Sequence, residues 1–172
     1  MKEVPIDPPV VIADYDPLWP ETFLCLARAI TTALAGLLLC IEHIGSTAVP
    51  GLPAKPIIDI DAVIKREDLP LAITRLSQCG YVYKGDLGIK DREAFKAPPE
   101  SPAHHLYLCP DDSEEFRRHI AFRDWLRTHP AVAAEYALLK KGLAAKFLSD
   151  REGYTLAKSA FILAQLNEAA RR

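Results

Sequence analysis

The sequence lacks three features that would assign the protein at once to a broad class. No segment contains 18 or more consecutive apolar residues, so an ordinary transmembrane helix is not expected. The four cysteines, Cys25, Cys40, Cys79 and Cys109, form no C-x-x-C pair, which argues against a cysteine zinc site or a dithiol redox site. The net charge of -2 provides no general basic field, so we expect no nucleic-acid partner unless a basic patch is local.

The amino-terminal segment MKEVPIDPPVVIADYDPLWP also lacks the continuous apolar run of a secretory signal peptide, because prolines and acidic residues interrupt it. We therefore expect a cytoplasmic protein without a membrane partner. The cysteines lie in apolar stretches, so we expect all four to be small buried residues. With 172 residues, 49% of them hydrophobic, the chain can bury a core without a disulfide or a structural metal, and we expect one domain over 1–172.

Hydrophobic periodicity divides the chain into a strand-containing first part, about residues 1–110, and a helical tail, about residues 111–172. Helices are predicted over 18–34 and 67–78, and strands over 37–44, 57–64, 81–84, 94–97 and 105–109. In the tail, three helices are predicted to begin after a cap at Asp112 or Ser113, at Pro130, and after a cap at Ser149 or Asp150. The pattern predicts an α/β (α+β) fold.

Asp59 and Asp61 lie one residue apart in the alternating segment IIDIDAVI. In a strand the isoleucines would face the core, while both aspartates would project from the other face with Cα atoms about 7 Å apart. Two carboxylates so placed suit Mg²⁺ or Mn²⁺, which also take oxygens from substrate phosphates and promote nucleotidyl or phosphoryl transfer. The alternative is an ordinary amphipathic strand whose acidic face is solvated.

Gly45-Ser46 ends the predicted strand that precedes these aspartates, with twelve residues, 47–58, between Ser46 and Asp59. A glycine lets the backbone approach a phosphate group closely, and a serine hydroxyl can donate a hydrogen bond to it. Lys55 lies in the same loop and could supply a positive charge. The sequence therefore predicts a phosphate-binding turn beside the acidic strand.

The order strand, Gly-Ser, spacer and Asp-x-Asp resembles the signature of the nucleotidyltransferase superfamily related to DNA polymerase beta. Four longer strings resemble the GrpB family, also called UPF0157, over nearly the whole chain: IEHIGSTAVPGLPAKPIIDIDAVI, GIKDREAFKAPPESPAHHLYL, FRRHIAFRDWLRTHPAVAAEYALLKKGLAAKF and DREGYTLAKSAFI. The resemblance implies a nucleotidyltransferase-like mixed sheet with flanking helices and a C-terminal helical segment, with Gly45, Ser46, Asp59 and Asp61 in phosphate- and metal-binding roles. GrpB domains also occur fused to dephospho-CoA kinases, which implies a link to nucleotides or coenzyme A.

Polymerase-like members of the superfamily add a third carboxylate from a neighbouring strand, and His105 is the candidate for that position here. Alternation in HHLYLC places His105 and Tyr107 on the face opposite the core. If this face adjoins Asp59, His105 could act as a general base or a ligand, although it lacks the negative charge that helps to hold Mg²⁺. The alternative is a strand-end histidine satisfied by the backbone. His43 is expected to support the Gly-Ser turn, and His119 to be an ordinary helix residue.

Further phosphate-binding candidates lie outside these motifs. Arg92 and Lys96 flank the predicted strand 94–97 and could reach a triphosphate, but GrpB sequences usually carry a more arginine-rich R-x-F-F-R-K segment, and a lysine cannot replace an arginine fork. In the tail, residues one helical turn apart are interpreted as cleft-lining pairs or as ordinary solvated faces. These pairs are Arg123 with Arg127, Tyr136 with Lys140, and Tyr154 with Lys158. The full predicted phosphate- or nucleotide-binding set is Gly45, Ser46, Thr47, Lys55, Arg92, Lys96, Tyr136, Lys140 and Lys158.

Three functional hypotheses follow from these features. The first is an enzyme that transfers a nucleotidyl or phosphoryl group from a nucleoside triphosphate, with Mg²⁺ or Mn²⁺ on Asp59 and Asp61 and with His105 in a catalytic role. The second is a non-catalytic module that recognises a nucleotide or a coenzyme A-related molecule and acts through a partner protein; the missing third carboxylate favours it. The third is a structural or interaction protein whose acidic strand is an incidental surface.

Overall fold

The computed structural model describes residues 10–147 and 150–171, and a five-stranded mixed sheet lies at its centre. The strands are β1 (Leu38–Ile44), β2 (Ile58–Ile64), β3 (Val82–Tyr83), β4 (Glu93–Lys96) and β5 (His104–Pro110). Their order in the sheet is β1-β2-β5-β4-β3. Strands β2 and β5 are parallel, and the other neighbours are antiparallel. Strands β2 and β5 therefore each have a hydrogen-bonded neighbour on both sides.

In the described part of the chain, five helices accompany the sheet, and two short 3₁₀ turns, Ser46–Ala48 and Arg66–Asp68, precede β2 and the second helix. The helices are α1 (Trp19–Ala33), α2 (Leu69–Gln78), α3 (Glu114–Thr128), α4 (Pro130–Lys146) and α5 (Arg151–Ala169). Ser113 caps α3 by accepting a hydrogen bond from the Phe116 amide, and Asp150 caps α5 by accepting one from the Gly153 amide. Ser149, the alternative cap for α5, lies outside the described residues.

The main core lies between one face of the sheet and helices α1 and α2. Alternate residues of β2 point into it, as the two-residue period of a strand requires. The buried residues that form this layer are Ile58, Ile60, Ala62 and Ile64 of β2, Leu106 and Leu108 of β5, Leu26, Ile30 and Leu34 near α1, and Ala72 and Leu76 of α2. The opposite face of the sheet, which carries Asp59 and Asp61, is left for α3, α4 and α5 to cover.

The three tail helices are held over the turn that follows β1. A second apolar cluster packs Val49 and Leu52 of that loop against Leu126 of α3 and Tyr136 of α4. The Arg123 guanidinium donates to the Glu42 carboxylate at 2.7 Å and to the His43 carbonyl at 3.0 Å. Helix α3 is therefore clamped to β1 at the point where the chain enters the Gly-Ser turn.

Arg127 extends the same clamp by one helical turn. Its Nε and Nη2 atoms donate to the Ala48 carbonyl at 3.0 and 2.8 Å, so a single guanidinium holds the 3₁₀ turn from outside. The pair formed by Arg123 and Arg127, interpreted from sequence as cleft-lining or solvated, instead makes structural contacts to backbone and to Glu42.

The predicted mixed sheet with flanking helices is confirmed, and the elements begin and end within a few residues of the predicted bounds. The expectation that every cysteine is buried is wrong: Cys25 and Cys79 are exposed and Cys40 is half-buried, while Cys109 alone of the four is buried. An apolar stretch has outward as well as inward positions, and membership of the stretch does not decide which one a cysteine takes. Within residues 10–147 and 150–171, no helix has the length and apolar character needed to cross a bilayer.

Candidate functional site

Asp59 and Asp61 project from the same face of β2, as predicted, but they occupy different environments. The Asp59 side chain retains 29% of its exposure, whereas that of Asp61 is fully buried. The difference arises because α3 crosses the sheet above Asp61 and leaves Asp59 at the edge of a cleft. The two carboxylates therefore cannot be treated as an equivalent open pair.

Asp61 is held by a residue that the sequence analysis did not assign to the site. The His119 Nδ1 atom donates to Asp61 Oδ2 at 2.7 Å, and its Nε2 lies 3.3 Å from the Glu115 carboxylate. Burial lowers the pKa of His119, but the hydrogen bonds to Asp61 and Glu115 outweigh it and raise the pKa to about 9. The spacing of Glu115 and His119, four residues apart on one face of α3, is the sequence signal that could have paired them.

The second oxygen of Asp61 has no hydrogen-bond partner among the described residues although it is buried. Burial raises the pKa of Asp61, and the hydrogen bond from His119 opposes this rise. A buried carboxylate oxygen without a donor is costly unless a cation or a donor completes it. Asp61 therefore has one enclosed oxygen whose hydrogen-bonding capacity no described residue fills.

His105 lies beside Asp59, as the alternation in β5 predicted. The two residues are register partners across the parallel pair β2 and β5, and the His105 Nδ1 atom donates to Asp59 Oδ1 at 2.8 Å. Its side chain is 47% exposed, so the ring can still be reached from solvent. The face of β5 that carries His105 thus adjoins Asp59, which the sequence had left as a condition, and the role of His105 as a base or ligand stays a prediction.

Gly45 brings the turn after β1 against Asp59. Its φ is +70°, and a Cβ atom added at this position would lie 2.4 Å from Asp59 Oδ2. Glycine is required here for both reasons, because an L residue is strained at this φ and any side chain would displace the carboxylate. The turn therefore sets the position of the one site carboxylate that faces the cleft.

The two residues after Gly45 point in different directions. Ser46 lies at the edge of the cleft, where its side chain interacts with Tyr136 and opposes the rise that burial causes in the pKa of that phenol. Thr47 is 1% exposed, and its hydroxyl lies 2.9 Å from His43 Nε2. Burial lowers the pKa of His43 to about 4, so His43 is a neutral support for the turn at physiological pH.

Replacing Gly45 by Ala is expected to lower the free energy of unfolding by about 3 kcal/mol, because backbone strain and the collision with Asp59 add. Gly51→Ala is the matched control, since Gly51 has a φ of +77° and no atom within 4 Å of the added Cβ; its cost should be about 1 kcal/mol from strain alone. Urea denaturation of both variants measures the difference. Equal destabilisation would show that the contact between Gly45 and Asp59 has no energetic consequence.

A first chamber, about 230 Å³ in volume, opens on one side of Asp59. We name it the lysine chamber; it is lined among others by Ser46, Lys55, Asp59, Lys140, Tyr154 and Lys158. The ammonium groups of Lys55 and Lys158 lie 4.3 and 4.5 Å from the centroid of the Tyr154 ring, within the range of a cation-π contact. Three lysines from separate segments therefore meet around one carboxylate.

Lys140 is the most enclosed of these lysines, with 2% of its surface exposed. Its Nζ donates to the Pro53 carbonyl and lies 4.8 Å from the Tyr136 ring centroid. Burial, followed by the charge of Lys158, lowers the pKa of Lys140 to about 7. Burial and the charge of Lys55 lower the pKa of Lys158 to about 8, against the opposing effect of Asp59.

A second chamber, about 340 Å³ in volume, also borders Asp59 and shares Ser46, Asp59, Tyr107, Thr155 and Lys158 with the first. We name it the arginine chamber; its own lining includes Ile89, Arg92, Arg118, Phe122, Ile162 and Leu166. The Arg92 guanidinium stacks 4.4 Å from the Tyr107 ring centroid, and its Nε is buried without a hydrogen-bond partner among the described residues. This chamber combines an apolar wall with the cationic groups of Arg92, Arg118 and Lys158 and with the carboxylate of Glu115.

Most of the predicted phosphate-binding residues therefore surround the same cleft. Lys96 lines neither chamber: it is exposed on β4, which lies beyond β5 in the sheet, although its backbone is the register partner of His105. Thr47 lines the lysine chamber, but its hydroxyl is directed towards His43. Tyr136 lines the arginine chamber, and its ring centroid lies 4.8 Å from Lys140 Nζ of the lysine chamber.

The donor set at Asp59 and Asp61 fits a metal ion that arrives with a substrate. Among the described residues, no cluster of three or more His, Cys, Asp or Glu side chains could hold an ion by itself. Mg²⁺ commonly binds through one or two carboxylates and takes its remaining ligands from substrate phosphates and water. The cleft carboxylate of Asp59 and the unpartnered oxygen of Asp61 match that requirement.

Comparison with known proteins identifies close relatives of the whole chain. A family model described as GrpB protein matches residues 9–168. The chain is 39% identical over 168 residues to a UPF0157 protein of Pseudomonas aeruginosa, which covers 95% of this chain and 69% of that protein. The crystal structure of the conserved protein GrpB from Enterococcus faecalis superimposes with a TM-score of 0.84 at 37% identity, over 94% of this chain and 98% of that one.

More distant similarities connect the fold to nucleotidyltransferases. The chain superimposes on the GLD-2/RNP-8 complex with a TM-score of 0.61 and on the Cid1 poly(U) polymerase with one of 0.55. The identities are 15% and 11%; the matches cover 85% and 78% of this chain but 50% and 43% of the others, so they show a shared fold alone. A dephospho-CoA kinase of Mycolicibacterium paratuberculosis is 24% identical in a gapped alignment of 178 positions, which covers 87% of this chain and 43% of the kinase.

Proposed function

The chain belongs to the GrpB protein family, and from that premise we propose that its cleft binds a nucleoside triphosphate with Mg²⁺ or Mn²⁺ and transfers a nucleotidyl or phosphoryl group to an acceptor. The observation that carries the proposal is the position of Asp59, which lies where the lysine chamber and the arginine chamber meet. A reacting phosphate at this junction would contact the cationic groups of the lysine chamber, and the arginine chamber would leave space for an acceptor.

The lysine chamber is the proposed place of the phosphate chain. Lys55 and Lys158 can donate to phosphate oxygens, while Ser46 and the glycine beside it allow the backbone to come close. Charge-assisted hydrogen bonds of this kind are among the stronger polar contacts in proteins. The nucleotide would thus be anchored by its phosphates rather than by its base.

Asp59 and the unpartnered oxygen of Asp61 would hold the metal ion. When bound, such an ion neutralises charge on the reacting phosphate. His119 fixes Asp61 from behind, and His105 fixes Asp59 from β5, so both carboxylates have a defined orientation before a ligand enters. His105 is also the proposed acceptor of the proton from an attacking hydroxyl, because its ring is reachable from the cleft.

A second candidate function is a non-catalytic module that binds a nucleotide or a coenzyme A-related molecule and acts through a partner protein. The observation that favours it is the residue beside Asp59 on β5, which is a histidine rather than a third carboxylate. The sequence similarity to a dephospho-CoA kinase is the reason for considering a coenzyme A-related ligand. Both candidates use the same cleft and differ in whether a product forms.

Thermal-shift measurements with the four nucleoside triphosphates, dephospho-CoA and phosphopantetheine, each with and without Mg²⁺ or Mn²⁺, test the proposal. We expect a triphosphate to raise Tm more with metal than without it. Incubation with α-labelled and γ-labelled triphosphate and candidate acceptors then separates the two candidates, since transfer gives a labelled product and a binding module gives none. If no compound changes Tm, the cleft is an incidental surface and both candidates fail.

A further inference from the structure

We propose that the lysine chamber is built for two or more adjacent phosphate groups and that it takes up a proton from solution when such a ligand binds. The inference rests on the proposed function, because it takes this chamber as the place of the phosphate chain. It adds the charge class of the ligand and identifies Lys140 as the group that changes its protonation.

The arrangement of charge in the chamber is the first support. Lys140 comes from α4, Lys158 from α5 and Lys55 from the loop before β2, so the ammonium groups approach from three segments. Neither Lys140 nor Lys158 forms a salt bridge with another described residue. Of the described residues that line the chamber, Asp59 is the single acid. Several anionic oxygens would be needed to match the donors of Lys140 and Lys158 alone.

The enclosure of Lys140 is the second support. Among the described residues, its ammonium group has one hydrogen-bond acceptor, the Pro53 carbonyl, and one ring face, that of Tyr136. An ammonium group has three donors, so a buried one with a single acceptor is only partly compensated for its lost hydration. Burial and the charge of Lys158 accordingly lower the pKa of Lys140 to about 7, and in slightly alkaline solution its neutral amine predominates.

Other titratable groups face Lys140 from the elements packed around it. They are Tyr136 on its own helix, Tyr154 and Lys158 of α5, Lys55, Asp59 of β2, and His105 and Tyr107 of β5. Asp14, on the segment that pairs with Ala54, contacts the neighbouring Lys141 rather than Lys140. The effects that act on the pKa of Lys140 are therefore dominated by burial and by like charge.

Phosphate binding reverses both effects. An anionic oxygen near Lys140 replaces its lost hydration and offsets the repulsion from Lys158, so the pKa rises towards the ordinary value of a lysine. At any pH between the free and bound values, the complex holds a proton that the free protein lacks. Binding is then accompanied by proton uptake, and affinity falls as pH rises, by up to about tenfold per pH unit for each proton taken up.

Isothermal titration calorimetry at pH 8 in EDTA, in two buffers of different ionisation enthalpy, measures the proton uptake. Pyrophosphate and orthophosphate are the probes, because neither requires recognition of a base. We expect the wild type to take up about one proton more per pyrophosphate than Lys140→Met, since the ionisation of the probe itself is common to both proteins. We also expect pyrophosphate to bind at least about tenfold more tightly than orthophosphate.

Two further variants make the experiment specific to the chamber. Lys158→Met should lose part of the uptake, whereas Lys141→Met, which removes an exposed lysine on the next residue of α4, should match the wild type. Between pH 7.5 and 8.5, the affinity of the wild type should fall about tenfold more than that of Lys140→Met. Equal proton uptake by the wild type and Lys140→Met, equal affinity for the two probes, or no saturable binding of pyrophosphate would overturn the inference.

The outcomes distinguish this inference from the proposed function. Pyrophosphate binding with proton uptake, but without any metal-dependent binding or transfer from a nucleoside triphosphate, would support the inference and remove the transferase proposal. Metal-dependent nucleotide binding that is unaffected by Lys140→Met would support nucleotide binding and overturn the inference.

Discussion

Replacing Asp59 by Asn is expected to abolish the metal-dependent part of nucleotide binding and to reduce transfer by at least about 100-fold. Asparagine has the size of aspartate and can still accept a hydrogen bond from His105, so the fold and the orientation of the side chain should persist. The negative charge that a metal ion requires is lost, and altering even the groups that support a metal ligand typically weakens metal affinity about 10- to 100-fold. Triphosphate binding with and without Mg²⁺ measures the effect directly.

Metal-free binding provides an internal comparison for the same variant. Asp59 opposes the lowered pKa of Lys158 and is the single acid among the described residues that line the lysine chamber. Its neutralisation should therefore leave metal-free triphosphate binding unchanged or slightly stronger. Asp111→Asn is the matched control, since Asp111 is an exposed aspartate just beyond the opposite end of β5. If Mg²⁺ strengthened triphosphate binding by Asp59→Asn as much as it strengthens binding by the wild type, Asp59 would be ruled out as a metal ligand.

Replacing Lys140 by Met is expected to stabilise the protein while it removes a phosphate-binding group. The pKa of Lys140 is lowered to about 7 in the folded state, which corresponds to several kcal/mol of unfavourable free energy at neutral pH relative to an unfolded chain with an ordinary lysine. Loss of the hydrogen bond to the Pro53 carbonyl offsets about 1 kcal/mol of the gain. We expect a net stabilisation of about 2 kcal/mol and a rise in Tm of about 4–8 °C.

The pH dependence of that stabilisation has a definite sign. Between about pH 7 and the ordinary pKa of lysine, the unfolded chain binds a proton at Lys140 that the folded protein does not, so wild-type stability gains from rising pH. The penalty is complete below pH 7 and disappears towards pH 10. In thermal melts, the Tm of Lys140→Met should therefore exceed that of the wild type by a large margin at pH 6.5 and by a small margin at pH 9.5.

Lys141→Met again serves as the control, because it makes the same chemical change on the exposed side of α4. Its Tm should remain close to that of the wild type at both pH values, as is usual for surface substitutions. If Lys140→Met were destabilised at both pH values, the Lys140 ammonium would be a net contributor to the fold, and the neutral amine in the free protein would be excluded.

Several parts of the site could be predicted from sequence because they depend on local backbone geometry. The two-residue period of a strand places Asp59 and Asp61 on one face of β2 and directs the intervening isoleucines to the core. The same period in β5 turns His105 towards the site, and Gly45 at the end of β1 has the positive φ that only glycine adopts easily. These features require no knowledge of what packs above the sheet.

The environments of those residues could not be predicted, because they are created by segments distant in the sequence. Asp61 is buried by His119, which lies 58 residues further along the chain and was expected to be an ordinary helix residue. Arg123 reaches Glu42 across 81 residues and acts as a clamp rather than as a cleft residue. Which side chains an element meets across space is decided by how helices pack, and periodicity within one element carries no information about it.

The sequence by itself therefore determined the sheet, its acidic face and the turn beside it, since these follow from alternation, from glycine and from the family-like strings. The tertiary structure decided that the two aspartates differ, that Asp59 divides a lysine chamber from an arginine chamber, and that Lys140 is buried beside like charge. The physical reason is that a side chain's direction is local, whereas its burial and its electrostatic neighbours depend on the whole packed chain.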